Sequence, residues 1–327
     1  NEVVIVEAIR TPIGAYKGSL KELSADKLGS IVIREILRKS KLDKDDIDEV
    51  IMGQVLTAGG GQNPARQAAI NAGINISKPA HIVNQVCGSG LRAVISGYQS
   101  IKLGEVKNVI SGGQENMSLA PHSIFYRDDK KISEKNLIDT MINDGLIDAF
   151  NNYHMGITAE NVAKKYSITR KEQQEFAISS HQKAFEAQTK GNFKKEITSI
   201  GDCSVDGNIR PNSNQETLDG LKLAFDPNGT VTAATSSPLT DGAAATLICE
   251  EQFAKENNLE ILARIVSTAV QGCDPDLMGL GPIGASKKAL KRANLSIEDI
   301  DIVELNEAFA SQSLACIKDL SIDQKKV

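Results

Sequence analysis

The run ILRKSKLDKDDIDEVIMGQ, Ile36 to Gln54, returns in altered form as ALKRANLSIEDIDIVELNE, Ala289 to Glu307. The offset is constant at 253 positions (290 less 37). Leu37 meets Leu290, Leu42 meets Leu295, Asp46 meets Asp299, Ile47 meets Ile300, Asp48 meets Asp301 and Val50 meets Val303. Each copy reads as a helix, a charged turn and a strand. The charged stretch Lys41–Glu49 therefore reads as a solvated connection in both copies, not as a binding surface. Ala263–Ser267 resembles Val3–Glu7 in the same way. Copies this far apart point to a duplicated α/β unit, because a solenoid would repeat every roughly 20–50 residues.

Outward from these copies, Val3–Arg10 reads as a buried strand, and Thr11-Pro12-Ile13-Gly14 forces a turn. Ser24–Lys39 carries Leu28, Ile31, Val32, Ile36 and Leu37 at helical spacing. Asp48–Leu56 reads as strand, Ala58–Pro64 as loop, Ala65–Asn71 as helix and Val106–Gly112 as strand. Strands alternating with helices predict an α/β fold with a largely parallel sheet. Between the copies, about 118–240, the chain is loop-rich. It holds helical patterns over Thr158–Tyr166 and Thr169–Lys190, the second opened by a capping box, Thr169 with Glu172. This stretch is expected to be an insertion over the open end of the sheet.

With 327 residues, two domains and a large core are expected. The net charge is −5, with acids and bases interspersed, which argues against a nucleic-acid partner. Tryptophan is absent and aromatics are only 4%, so stacking platforms for bases are scarce. Lys130-Lys131, preceded by Asp128-Asp129, reads as a solvated loop. Gly59-Gly60-Gly61 lacks the Gly-Lys-Ser/Thr that a phosphate loop needs. The five cysteines form no Cys-x-x-Cys, so neither a disulfide framework nor a metal site is expected. Free thiols suit a reducing compartment, and a cytoplasmic location is expected. No apolar run approaches membrane-spanning length.

The chemistry concentrates at Val83-Asn84-Gln85-Val86-Cys87-Gly88-Ser89-Gly90-Leu91. An apolar run, Ala80–Val86, ends on a cysteine; Gly-Ser-Gly follows, then helical spacing over Leu91–Leu103. That predicts Cys87 at a strand-to-helix corner. A helix N-terminus favours thiolate there, and small neighbours admit a substrate carbonyl. A thiolate so placed is an acyl-group nucleophile. The plainer alternative is a buried structural cysteine.

These residues resemble the thiolase family along the whole sequence. The resemblance rests on Arg10–Gly14, Gly61–Ala68, Val83–Gly90, Gly112–Ser118 and Asn306-Glu307-Ala308-Phe309. Tyr153–Gly156 with Thr158–Asn161 is most similar to the biosynthetic branch, the acetyl-CoA acetyltransferases. The resemblance implies a duplicated, five-layered α/β/α/β/α fold with an inserted loop domain. On that basis the N-terminal half is expected over 1–117 and 241–260, the CoA-binding loop domain over 118–240, and an incomplete C-terminal half over 261–327.

The resemblance also implies the chemistry: two acetyl-CoA molecules condense to acetoacetyl-CoA and CoA through an acetyl-cysteine, or the reverse. Cys87 would be acylated and Asn306 would hold the enolate oxygen through a water. Leu146, His154 and Met155 match residues of the pantetheine loop and its cover, and Arg210 a residue near adenine and phosphates. Ala233 and Ser237 match acceptors of the pantetheine amides, and Met278 and Phe309 match walls of the acyl pocket. No separate cofactor is implied, since coenzyme A is part of the substrate. No metal, nucleic acid or membrane is implied either. A homodimer or homotetramer is.

Departures from the family pattern open the alternatives. Thr235–Asp241 is closer to the β-oxidation branch, which keeps a longer-chain 3-ketoacyl-CoA thiolase in play. Gly201–Arg210 is several residues shorter than its counterparts. The family's Gly-His-Pro segment and final Gly-rich segment with a second cysteine do not occur before Val327. None of His81, His122, His154 and His181 matches the first, nor Cys316 the second. The natural protein is therefore expected to extend further, and residues 1–327 alone are expected not to turn over. A catalytically dead CoA-binding homologue is the non-enzyme alternative. A ketoacyl synthase shares the cysteine and the duplicated fold, but Asn306–Phe309 argues against it.

Overall fold

The computed structural model describes residues 1–127 and 133–327, so Lys130-Lys131 lies outside the described residues. In chain order the elements are β1 (Val3–Arg10), β2 (Gly14–Ala15), α1 (Ala25–Ser40), β3 (Glu49–Gly53), α2 (Pro64–Ala72), β4 (Ala80–Val83), α3 (Ser89–Leu103) and β5 (Asn108–Asn116). A small ribbon, β6 (His122–Ser123) with β7 (Ile138–Asp139), precedes α4 (Thr140–Gly145), α5 (Met155–Tyr166), α6 (Arg170–Lys190) and α7 (Gln215–Asp219). Then come β8 (Thr240–Glu250), α8 (Glu251–Glu256), β9 (Ala263–Arg264), α9 (Gly281–Ala293) and α10 (Ala310–Asp319).

These elements gather into two compact units. Unit 1 comprises Asn1–Gly145, Gly191–Asn208 and Leu239–Ile265; unit 2 comprises Leu146–Lys190, Ile209–Pro238 and Val266–Val327. The 118–240 stretch is thus divided between the two.

Unit 1 is a sheet between helices, in strand order β4-β3-β5-β8-β1-β9, with β2 paired to β8. The α/β expectation holds, but the sheet is mixed. β4, β3 and β5 run parallel, whereas β8 runs antiparallel to both β5 and β1. The cause lies in the connections. Helices α2 and α3 carry the chain back between the parallel strands, as parallel pairing requires. β5 ends at Asn116 and β8 begins beside it, Asn116 facing Asp241, so the chain re-enters at that end and must run the other way.

Residue alternation then sorts the strand side chains onto two faces. Val4, Val50, Met52, Ile110 and Leu247 join Leu28, Val32, Ile33 and Ile36 of α1 and the alanines of α2. Val3, Ile51, Val109 and Ile248 join Ala93 and Ile101 of α3. Burying large aliphatic side chains contributes about 1.5–3 kcal/mol each before the ordering cost.

Unit 2 is helical. Val162 and Ile168 meet Ala315 and Leu314 of α10, and Ile283 of α9 meets Cys316 and Leu320. The capping box at α6 forms in both directions: Thr169 N–H donates to Glu172 Oε2 at 2.6 Å, and Glu172 N–H to Thr169 Oγ1 at 3.2 Å.

The sequence echo survives as structure up to the turn. α1 ends on left-handed Lys41 (φ 59°) and α9 on left-handed Asn294 (φ 55°), again 253 positions apart (294 less 41). Asp43 N–H donates to Asp46 Oδ2 at 3.0 Å, and its counterpart Ser296 N–H to Asp299 Oδ2 at 2.8 Å. Beyond the turn the copies part. Glu49–Gly53 forms β3, but 302–306 forms no strand. There Val303 N–H donates to Lys326 O and Ile302 is 75% exposed. A strand exists only through a neighbour that completes its ladder, and β3 has two.

Candidate functional site

Cys87 stands where the sequence placed it, one residue ahead of the Gly88 cap of α3, and it is exposed. The corner is built by one buried side chain. Ser89 Oγ accepts the Gln85 N–H at 2.8 Å and donates to Val86 O at 2.6 Å. Gly88 N–H and Ser89 N–H close back onto the carbonyls of Gln85 and Val86. Asn84 Oδ1 accepts the Val86 N–H at 2.9 Å. Val86 is thereby held at φ +49°, a conformation a β-branched residue adopts only under constraint.

Close backbone approach sets the corner against the sheet. A Cβ on Gly53, at the end of β3, would lie 2.3 Å from the carbonyl carbon of Ser89. Desolvation pushes the Cys87 thiol up from its ordinary value, opposed by a hydrogen bond from its own backbone N–H. The helix end and desolvation thus act on the Cys87 thiol in opposite senses. Two of the other cysteines are buried. Burial pushes Cys249 to about 12 and Cys316 to about 11.

One carboxyl, quoted in the sequence reading only within Gly112–Ser118, holds the turn after β3. Glu115, near the end of β5, accepts the N–H groups of Val55 at 2.8 Å and Leu56 at 3.2 Å. Burial pushes its carboxyl up to about 7, against the pull of those two amides.

The remaining expected residues lie in unit 2. Four gather in one apolar cluster: Met155, Met278 and Phe309 pack with Phe225, Val231, Ala159 and Ala308, and His154 stacks on Phe225 at 4.7 Å. Phe225 also meets Phe309 edge-on at 6.0 Å. Leu146 O accepts the Met155 N–H at 2.8 Å, which closes the 146–155 loop at its base. His154 caps α5 through Nδ1, which accepts the Gly156 N–H, and desolvation lowers its pKa. Ser237 N–H donates to Ala308 O, and Ala233 opens a short turn; both residues are exposed. Asn306 is exposed on the extended segment before α10. Arg210 stands outside the cluster, its N–H directed at His181 Nδ1 at 3.3 Å.

The comparisons with known proteins add a second line. The thiolase N-terminal domain matches residues 3–252 and the thiolase C-terminal domain residues 259–327. The chain belongs to the thiolase family. It is 49% identical to acetyl-CoA acetyltransferases of Pseudomonas aeruginosa and of Cupriavidus necator, covering all of this chain and 86% of each relative. A Staphylococcus epidermidis protein named "Probable acetyl-CoA acyltransferase" is 48% identical with the same coverage. The crystal structure of the Bacillus anthracis acetyl-CoA acetyltransferase superposes with a TM-score of 0.96 at 38% identity, covering 100% of this chain and 85% of that one.

Phe225 and Val231 are members of this thiolase's apolar cluster that sequence reading missed, and Phe225 is the larger. The signal for Phe225 was present: a lone aromatic before Asp226-Pro227-Asn228-Gly229 in an aromatic-poor chain. Its partner is a glycine, since a Cβ on Gly156 would fall 2.2 Å from the Phe225 ring. Among the described residues no group of His, Cys, Asp and Glu could hold a metal ion, and no helix is long and apolar enough to cross a membrane.

Proposed function

We propose that this thiolase is an acetyl-CoA C-acetyltransferase. The observation that carries the reading is near-half identity, over the whole chain, to proteins of that name. Cys87 attacks the thioester carbonyl of acetyl-CoA after losing its proton to a base; the carbon–sulfur bond of acetyl-CoA breaks and CoA leaves. A second acetyl-CoA, deprotonated at its methyl carbon, attacks the acetyl-cysteine. Acetoacetyl-CoA forms and the Cys87 thiolate is released.

The N–H of Cys87 supports the oxyanion of the first step, and Asn306, through a water, the enolate oxygen of the second. In this reading His154, Met155, Met278 and Phe309 receive the pantetheine and acyl ends. Leu146, Ala233 and Ser237 line its path, and Arg210 meets the nucleotide end. Coenzyme A enters as part of the substrate, with no separate cofactor. The protein works as a homodimer or homotetramer in the cytoplasm.

The test is thiolysis of acetoacetyl-CoA by the full-length protein and its Cys87→Ser variant. Loss of the nucleophile should remove at least about 10³-fold of the rate. An active serine variant would end this reading. The relative named an acyltransferase favours a second reading, a longer-chain thiolase. A medium-chain 3-ketoacyl-CoA cleaved faster than acetoacetyl-CoA would select it.

A further inference from the structure

We propose that Glu115, acting with Gln114 and Gln54, positions Cys87 by fixing the turn after β3 as a rigid stop behind the nucleophile segment. The inference rests on the reading of Cys87 as acyl acceptor. Its basis is a continuous set of hydrogen bonds that the chemistry itself does not use. One carboxylate accepts two successive amides, Val55 and Leu56. Gln54 Nε2 donates to Leu56 O at 2.8 Å, and Gln114 Nε2 donates to Gln54 Oε1 at 2.9 Å, so the same turn is closed from its other side.

Both glutamines are buried, at 4% and 3% exposure. Gln114 Oε1 has no hydrogen-bond partner and occupies the space where α1 carries no side chain: a Cβ on Gly29 would lie 1.8 Å from it. The fixed turn then meets the nucleophile segment twice. Gln54 N–H donates to Val83 O at 3.2 Å, and Gly53 presses on the backbone of Ser89 and Gly90. Ser89 Oγ passes the constraint to Gln85 and Val86, next to the cysteine.

Two buried glutamines and a half-buried glutamate are a costly way to close a turn, since each loses contact with water. Their hydrogen bonds fix distance and angle, which apolar contact does not. Glu115 touches no reacting atom in this account; it acts through the turn.

The experiment follows acetyl-Cys87 formation in the full-length protein by rapid quench and peptide mass spectrometry, over a range of acetyl-CoA concentrations. Glu115→Ala should lower the maximal rate about tenfold or more and leave the half-saturating concentration within about twofold. Glu115→Gln, which keeps one acceptor oxygen, should fall between it and the wild type. Buried Cys249 and Cys316 report the fold, because they react with iodoacetamide only if the chain opens.

A folded Glu115→Ala protein with a maximal rate within about twofold of wild type overturns the proposal. So does an effect confined to the half-saturating concentration. If Glu115→Ala exposes the buried cysteines, Glu115→Gln decides alone, and a wild-type maximal rate in it overturns the proposal. Wild-type protein that never acetylates Cys87 overturns the nucleophile reading, and this inference with it; that outcome is distinct from equal rates in all three proteins.

Discussion

At Cys87 two influences oppose each other. The helix end and the residue's own N–H favour negative charge on sulfur, while desolvation at the corner disfavours it. The net direction is upward, which favours attack coupled to proton removal. Alkylation of Cys87 by iodoacetamide, read on its own peptide, should therefore rise with pH through a midpoint above that of an ordinary thiol. A midpoint below pH 7 would reverse the order of the two influences. The sequence showed the cysteine, its glycine neighbours and the helix behind it. It did not show how closely Gly53 lets β3 approach α3.

The next scale is the element, where small residues decide how near strand and helix can come. Gly53 has no room for a methyl group, because the atoms in the way are the backbone of Ser89 and Gly90 rather than a movable side chain. Gly53→Ala should destabilise unit 1 by about 1–3 kcal/mol, measured as a lower midpoint in urea. An unchanged midpoint would mean that the strand end and helix part without cost.

Helix periodicity placed α1, α3 and α5 within a few residues, the capping box marked the start of α6, and the apolar run marked β1. The direction of β8 was not legible. It depends on which end of the sheet the chain regains after the long excursion from β5, and no local pattern encodes that. Phe225 and Glu115 escaped for a related reason. Each works with residues far along the chain, Gly156 and Phe309 for one and Val55 and Leu56 for the other.

Over the whole molecule, the duplicated turn is the feature that sequence and structure share most closely. Lys41 and Asn294 end their helices alike, and Asp46 and Asp299 cap their turns alike. The strand that should follow forms only in the first copy, where neighbours on both sides complete its ladder. Unit 1 holds Cys87 at a constrained corner; unit 2 holds an apolar cluster with a closed loop at its base. The central claim is one covalent event, transfer of an acetyl group to Cys87. The direct measurement is the mass of the tryptic peptide Gln67–Arg92, in which Cys87 is the single cysteine, after the full-length protein is quenched with acetyl-CoA. The account predicts one acetyl group on that peptide, removed by added CoA. An acetyl group on Cys203 or Cys316 instead, or on no cysteine, would contradict it.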